Sequence, residues 1–484
     1  SYTVNSARST SGSNYKNFTD LANDLKTNGI SGNVTIDVTT GSGPYSESIE
    51  IMDYAGSATY TLTIQGNGEE ITSRNSSATI VFEDAANIEV NDLIVKNTSS
   101  FGECVRIEGE SDEIALDDCE FIRTGSITSS SSAYIMISDV NSVFGGRFPD
   151  LKTNITITNS YFHNGNTSST SSGGYACIAI HQPQDDGDDN NILIEGNEMT
   201  CFGRYAIYLE DVSGVTINEN EIHNPTNFTT GFRYTIYHNT NFSFPGADED
   251  CIISNNYIYD INPETYTGTT YGIGWFAYYS ASNVRIYNNV IDLEGRGSLY
   301  GIYTYGAFSF YTSQPGKKDI VNNTIRLYGT SGSNFSTLAG VYGFYLDQSE
   351  IKNNIISIER ENGRSAFGAY VPSGGVASYN NIYFDLSGQW DNEQYVGTQF
   401  NGTQTLTDFL TSFPNSVSLD PTFLDRGNLD YTPVSLGMAN KATPVTYITE
   451  DIAGEARDAT NPDLGAVEYF IDAEIVSVDM NAQT

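Results

Sequence analysis

Three groups of residues in this sequence sit where their side chains could do chemistry. They are a recurrent tyrosine, two arginines at matching positions with histidines nearby, and a loop of four aspartates. Tyr208, Tyr237, Tyr303 and Tyr342 each follow an aliphatic residue in short alternating segments: YAIYLED (205–211), YTIYHNT (234–240), YGIYTYG (300–306) and AGVYGFY (339–345). YGIGWFA (271–277) is of the same kind. Successive side chains of a strand face opposite ways, so Ile207, Ile236, Ile273, Ile302 and Val341 point inward and the tyrosines outward. A row of outward rings is a stacking platform for sugars, whose rings present apolar C–H faces. Trp275, Phe276, Tyr278 and Tyr279 extend that row. The alternative is that each tyrosine packs on the rings of the repeats above and below.

Arg204 and Arg233 immediately precede the matching Tyr205 and Tyr234. If the repeats stack, the two guanidinium groups lie roughly 5–10 Å apart. His181, His223 and His238 fall in the same stretch. The alternative is a set of ordinary surface residues paired with the abundant carboxylates. In QPQDDGDDNN (182–191), Asp185, Asp186, Asp188 and Asp189 flank a glycine. Ca²⁺ takes six to eight oxygen ligands, so this loop is the candidate calcium site, and Ca²⁺ is the one cofactor the sequence raises. The loop lacks EF-hand spacing, and a solvated acidic loop is the alternative. Asp248, Glu249 and Asp250 form a weaker acidic run.

These residues need a scaffold, and a second repeat describes it. Asn197, Asn220, Asn256, Asn289, Asn323, Asn354 and Asn381 recur at spacings of 23, 36, 33, 34, 31 and 27 residues, each after a short apolar alternation. Repeats of that length with period-two alternation predict a stacked solenoid of strands. Each asparagine then occupies the same corner, its amide bonding those above and below as a structural ladder. Degenerate copies place Leu93, Cys119 and Ser160 at that corner upstream. Crossovers between parallel strands are right-handed, so the expected fold is all-β, a right-handed parallel β-helix of about twelve coils, roughly 55–60 Å long.

Residues 1–45 read as an N-terminal cap, with Phe18, Leu21, Ala22 and Leu25 on one helical face and Gly29 as the stop. The β-helix is expected over 46–385, C-terminal coils and a closing element over 386–470, and a linker or the start of a following module over 471–484. Polar loops at 125–132, 165–174 and 183–191 absorb the extra length.

Composition narrows the partners. Lys and Arg number 22 against 60 Asp and Glu, a net charge of −38, which disfavours nucleic acid and anionic membranes. No apolar run is long enough to span a membrane. Five cysteines without a CxxC argue against a zinc ribbon, and Cys119 and Cys251 are expected inward as small hydrophobes. The start at Ser1 rather than Met predicts a removed signal peptide, hence a secreted or cell-surface protein.

The coil pattern resembles the pectate-lyase-like β-helix superfamily. YTVNSA…NFTDLANDLKTNGISGNVTIDV looks like the N-terminal cap of large secreted Bacteroidota surface proteins. LDPTF…LDYTPVS…DIAGEARDATNPDLGAVEY resembles the closing element of extracellular β-helix proteins of that kind. Lyases of the superfamily abstract a sugar proton with Arg or Lys beside a Ca²⁺-neutralised carboxylate. That implies Arg204, Arg233 or His238 in the catalytic role and the aspartate loop as metal site. The GHG and paired-Asp patterns of β-helix polygalacturonases do not occur in the sequence. With Lys scarce and Arg scattered, the leading expectation is a non-catalytic, adhesin-type or structural shaft. It would bind extracellular polysaccharide or cell-surface and matrix components, alongside further modules of the same polypeptide. A polysaccharide lyase is the alternative.

Overall fold

The computed structural model describes residues 1–125, 132–138, 152–165, 173–181, 191–226, 231–240, 251–262, 266–277, 283–305, 316–329, 336–344, 349–370, 376–388, 390–397, 405–413 and 415–469. The chain is a right-handed parallel β-helix. One coil shows the plan: a long strand at Phe202–Glu210, a second at Val215–Asn218, a tight bend, and a short third strand at Glu221–Ile222. The long strands stack into a twelve-stranded parallel sheet running from Ile49–Met52 to Trp390–Gly397. The paired shorter strands form a second, bent sheet. Between the two lies one continuous aliphatic core, in which Ile207, Ile236, Ile273, Ile302 and Val341 stand in register.

The bend has a fixed chemistry. In ten successive coils the residue before the corner is left-handed, from Asp92 (φ 52°) through Asn255 (56°), Asn288 (54°), Asn322 (56°) and Asn353 (60°) to Tyr379 (53°). Asn and Asp tolerate that conformation best among residues with a Cβ, which explains the recurrent Asn-Asn pairs. The next side chain turns inward. Asn256 Oδ1 accepts from the Asn220 backbone N–H at 3.0 Å and from its Nδ2 at 2.9 Å. Asn289, Asn323 and Asn354 repeat those bonds to the coil before. Ser160 opens the series by donating its N–H to Asn197 Oδ1. The last rung is Asn380, not Asn381: Asn380 Oδ1 takes both bonds from Asn354 at 3.0 Å. In ASYNNIY the left-handed residue is Tyr379, so the corner falls one place earlier than the repeat suggests.

Both ends are closed. Helix α1 (Phe18–Asn28) is capped by Asn17, whose side chain accepts from the Asp20 N–H, and ends at Gly29 (φ 61°). It buries Phe18, Leu21 and Leu25 and packs beside Ile49–Met52, the first strand of the twelve-stranded sheet, covering that open edge. Helix α2 (Leu406–Ser412) buries Phe409, which stacks on Tyr395 of the final strand at 5.1 Å. Midway, the sheets approach so closely that only glycine fits. A Cβ on Gly272, Gly301, Gly340 or Gly368 would lie 2.7, 2.5, 2.3 or 2.4 Å from an isoleucine Cγ2 across the core.

The closing element does not sit on the end of the shaft but runs back along its side. Asn381 exchanges two hydrogen bonds with the Leu419 backbone. Asn353 donates to Thr443 O, Gly465 N–H donates to Asn353 O, and Asn288 joins Glu450 O and Arg457. The left-handed asparagines, with their amides facing out, are therefore docking posts for this strap. Carboxylates knit the strap itself: Asp451 accepts the N–H groups of Ala453, Glu455 and Glu468, and Glu468 also pairs with Arg457 at 3.2 Å. The 471–484 segment lies outside the described residues.

Truncating Asn289 to Ala should orphan the buried Asn256 N–H and Ile253 carbonyl of the preceding coil and lower stability by about 3 kcal/mol. Asn380→Ala should cost nearly as much, and Asn381→Ala only about 1 kcal/mol, because it loses strap contacts alone. Urea unfolding of the three variants would read this order directly.

Candidate functional site

Of the residues singled out by type and spacing, the tyrosines, Phe276, His181 and Arg204 lie on the outer face of the twelve-stranded sheet. Strand register aligns them in columns parallel to the shaft. One runs Arg106, Met136, Ala179, Tyr208, Tyr237, Gly274, Tyr303, Tyr342, Tyr370. A second runs Ala133, Ala176, Tyr205, Tyr234, Tyr271, Tyr300. A third runs His181, Glu210, Asn239, Phe276, Tyr305, Phe344.

The tyrosines do point away from the core, but they are not an open platform. Their faces are taken up by one another. Tyr208 stacks on Tyr237 at 5.5 Å, Tyr303 on Tyr342 at 5.2 Å, and Tyr342 on Tyr370 at 4.6 Å. In the next column Tyr234 stacks on Tyr271 at 4.4 Å and Tyr271 on Tyr300 at 4.9 Å. Where Gly274 interrupts the first column, the Phe276 ring fills the gap, 5.3 Å from Tyr237 and 5.0 Å from Tyr303. Tyr208 is consequently only 2% exposed and Tyr342 6%, while Tyr237 and Tyr303 are half-buried. Burial raises the phenols of Tyr205, Tyr208, Tyr271 and Tyr342. What the face offers outward is ring edges and hydroxyls, with Phe232 the most open at 48%. Tyr278 and Tyr279 lie outside the described residues.

Trp275 belongs to the core rather than to this face. It shares the inward parity of Ile273, is fully buried, and stacks on His238 at 3.8 Å. His238 is equally buried, its Nε2 donating to Val212 O at 3.1 Å, and desolvation pulls its imidazole down to about 3. It cannot meet a substrate. Near it the amine of Lys318 is fully buried, bonded to Gly316 O at 2.6 Å, and pulled down to about 7 by burial.

The arginine pair also separates. Arg233 is 1% exposed, and its Nη atoms bind Ile261 O at 2.6 Å, Asn262 Oδ1 at 3.1 Å and Thr226 O at 2.9 Å. Desolvation lowers it to about 10. Arg123 and Arg360 do the same work at other coils, each clamping backbone carbonyls at a turn. Among the described residues Arg233 is thus one of three such buried clamps, since turn carbonyls without strand partners need a donor. Arg204 stays near the surface, its Nη1 3.0 Å from Tyr175 Oη and its plane over Tyr205.

Sequence spacing missed the charged part of this face. Glu103 and Arg106, from ECVRIEGE, are paired at 2.6 Å, and burial pushes the Glu103 carboxyl up to about 7. The E-x-x-R pattern inside an apolar strand was the available signal. Two strands further on, His181 Nδ1 lies 2.8 Å from Glu210, and its ring meets Tyr208 at 5.3 Å. His223 instead sits on the bent sheet with Glu198 and Tyr259. Glu103 and His181 are two rungs apart, roughly 10 Å along the axis. His181 and Arg204 are separated by two rings, Tyr208 and Tyr205. The charged groups are strung along the face rather than brought to one point. Asp185, Asp186, Asp188, Asp189 and the 248–250 run lie outside the described residues. Among the described residues no cluster of three or more His, Cys, Asp or Glu could hold a metal ion. None of the five cysteines forms a disulfide, and desolvation raises the thiols of Cys104 and Cys119 to about 12.

No family model and no curated protein matches the chain. Among solved structures, pectate lyase Pel9A aligns with a TM-score of 0.43 and 11% identity, over 97% of this chain and 96% of that one. PfbA, a surface adhesin of Streptococcus pneumoniae, aligns with a TM-score of 0.37 and 14% identity, over 77% and 82%. A second PfbA structure gives 0.27 and 12%, over 75% and 84%. Neither an activity nor a ligand passes from them to this chain. No helix among the described residues is long and apolar enough to cross a membrane.

Lys318 makes the core sensitive to pH in a defined direction. With its folded-state amine held near 7 against an ordinary 10.5, the unfolded chain binds the extra proton between those values. Stability should therefore rise with pH from 7 toward about 10. Lys318→Met should remove that slope and stabilise the protein at pH 7 by about 2–4 kcal/mol. Urea midpoints measured across that range would test it.

Proposed function

We propose that this chain is an extracellular, non-catalytic β-helix protein of surface or adhesin type, which contacts glycans with the outer face of its twelve-stranded sheet. One contrast carries the reading. Arg233 and His238, two of the three candidates for proton transfer, are sealed inside the fold and Arg204 is held against Tyr175 and Tyr205, whereas Phe232 is exposed and Tyr237, Tyr300, Tyr303, Tyr305 and Phe344 are half-exposed along one face. Such a face suits contact with a surface rather than turnover in a cleft. The composition supports an extracellular setting, since a chain of −38 stays soluble and repels anionic surfaces. Its partners would be extracellular polysaccharide or cell-surface and matrix components. Without any ligand, the same shaft would be a rigid spacer between further modules of the polypeptide.

A second reading, a polysaccharide lyase, is favoured by one observation. Glu103, pushed up to about 7 by burial beside Arg106, is a carboxyl poised near neutral pH, although it is as fully buried as His238 and would need its coil to open to meet a sugar. Elimination would remove the C5 proton of a uronate, break the C4–O bond and leave a C4–C5 double bond. A cation such as Arg106 or Arg204 would face the sugar carboxylate, and Ca²⁺ in the 182–191 loop would assist.

Two assays on the full chain separate these. Glycan-array retention that falls several-fold in Phe232→Ala and Tyr305→Ala, with unchanged unfolding midpoints, is expected for the binding protein. Uronate polysaccharides incubated with and without Ca²⁺ should then give no ultraviolet absorbance from unsaturated product. An absorbance rise abolished by Glu103→Gln or Arg204→Ala would replace the binding reading with the lyase.

A further inference from the structure

Four neighbouring strands, Phe232–Asn239, Thr269–Phe276, Leu299–Tyr305 and Thr337–Phe344, are set apart by aromatic, uncharged outward residues. In a chain with 60 acidic and 22 basic residues, none of those outward positions is a carboxylate, an amine or a guanidinium. Arg233 and His238, the ionisable residues within the strands, turn inward. The face instead carries Phe232, Tyr237, Tyr300, Tyr303, Tyr305 and Phe344, all at least partly open. The rings are spaced by the coils: Phe276 to Tyr303 is 5.0 Å, Tyr303 to Tyr342 5.2 Å and Tyr305 to Phe344 5.4 Å.

From this we infer that the strip binds an uncharged, extended, β-linked glycan chain lying parallel to the solenoid axis, an inference that rests on the glycan-binding reading above. Charge selects the class. A uronate or sulfated polymer would bring anions to a molecule of −38 along four strands that present no outward cation to receive them, the nearest being Arg204 one coil before, over Tyr205. A neutral sugar chain meets no such repulsion, and its hydroxyls match phenol edges that both donate and accept. Spacing selects the orientation. Parallel strands repeat at roughly 4.8 Å, and an extended β-linked pyranose chain advances by nearly the same distance per sugar, so each rung meets one residue. A second copy of this chain is a poorer occupant, because two bodies of −38 must be brought together over four strands that present no outward cation.

Calorimetric titration of the full chain with neutral β-linked gluco-, xylo- and manno-oligosaccharides, from disaccharide to octasaccharide, tests this beside oligogalacturonates and alginate oligomers. At least one neutral series should bind with affinity rising to about the tetra- or pentasaccharide and then levelling off. Raising the salt should change it little. The double variant Tyr300→Phe/Tyr303→Phe removes only hydroxyls, that of Tyr300 bonded to Thr337, and should weaken binding about tenfold while lowering the unfolding midpoint only slightly. Tighter binding of uronate oligomers, or affinity independent of chain length, would overturn the inference while leaving glycan binding intact. If no glycan binds, both readings fall. If the chain instead dimerises in sedimentation and the double variant does not, the strip belongs to a second copy and the inference is wrong.

Discussion

The whole shaft depends on satisfying the backbone at one bend. Where each coil turns between the two strands of the bent sheet, a left-handed residue takes the following N–H out of the strand ladder. In a dry corner that group must find an acceptor or cost a large part of the molecule's net stability. The asparagine amide meets the need from the neighbouring coil, accepting with its oxygen and donating with its nitrogen to backbone carbonyls such as Ile253 O and Ile286 O. Each amide is useful only if the next coil is in place, so every rung fixes the register of its neighbour. Sheet spacing, aliphatic columns and the alignment of the outer tyrosines all inherit that register.

The same dependence explains which features were legible in the sequence. Asn-Asn pairs and Ile alternation are local signatures of a repeated environment and give the fold and coil number, while the helical spacing of Phe18, Leu21 and Leu25 gives the cap helix. They fail where two adjacent residues could each serve. In ASYNNIY a tyrosine takes the left-handed place, and nothing in the triplet itself marks it. Trp275 could be read from parity with Ile273, but its size suggested a surface aromatic. Arg233 could not be read at all. Its partners are carbonyls at Thr226 and Ile261, and a carbonyl leaves no trace in a sequence. Alternation correctly sent the tyrosines outward, yet it says nothing of whether a ring keeps its face free or spends it on the neighbour one coil away.

That last distinction shapes the outer face. Stacked phenols there form a second apolar layer outside the sheet, held by the same rung spacing as the interior. Along the axis the layer changes character. It begins with the Glu103–Arg106 pair, passes an alanine and methionine floor at Ala133, Met136, Ala176 and Ala179, and continues as uncharged aromatic columns. A β-helix can vary its surface in this way because each coil contributes independently to the outside while sharing one interior.

The strap alters what happens when the molecule is pulled. A bare solenoid loaded at its end would lose one coil at a time, each rupture meeting only a single rung's bonds, like a zipper. Here residues before Tyr469 are bonded to Asn288, Asn322 and Asn353 on successive coils as well as to Asn381 on the last. Tension transmitted through Tyr469 is therefore shared across several coils at once and acts along the shaft, in shear. Bonds that share a load must break together, so the strap makes the C-terminal end of the shaft a mechanical anchor rather than a loose thread.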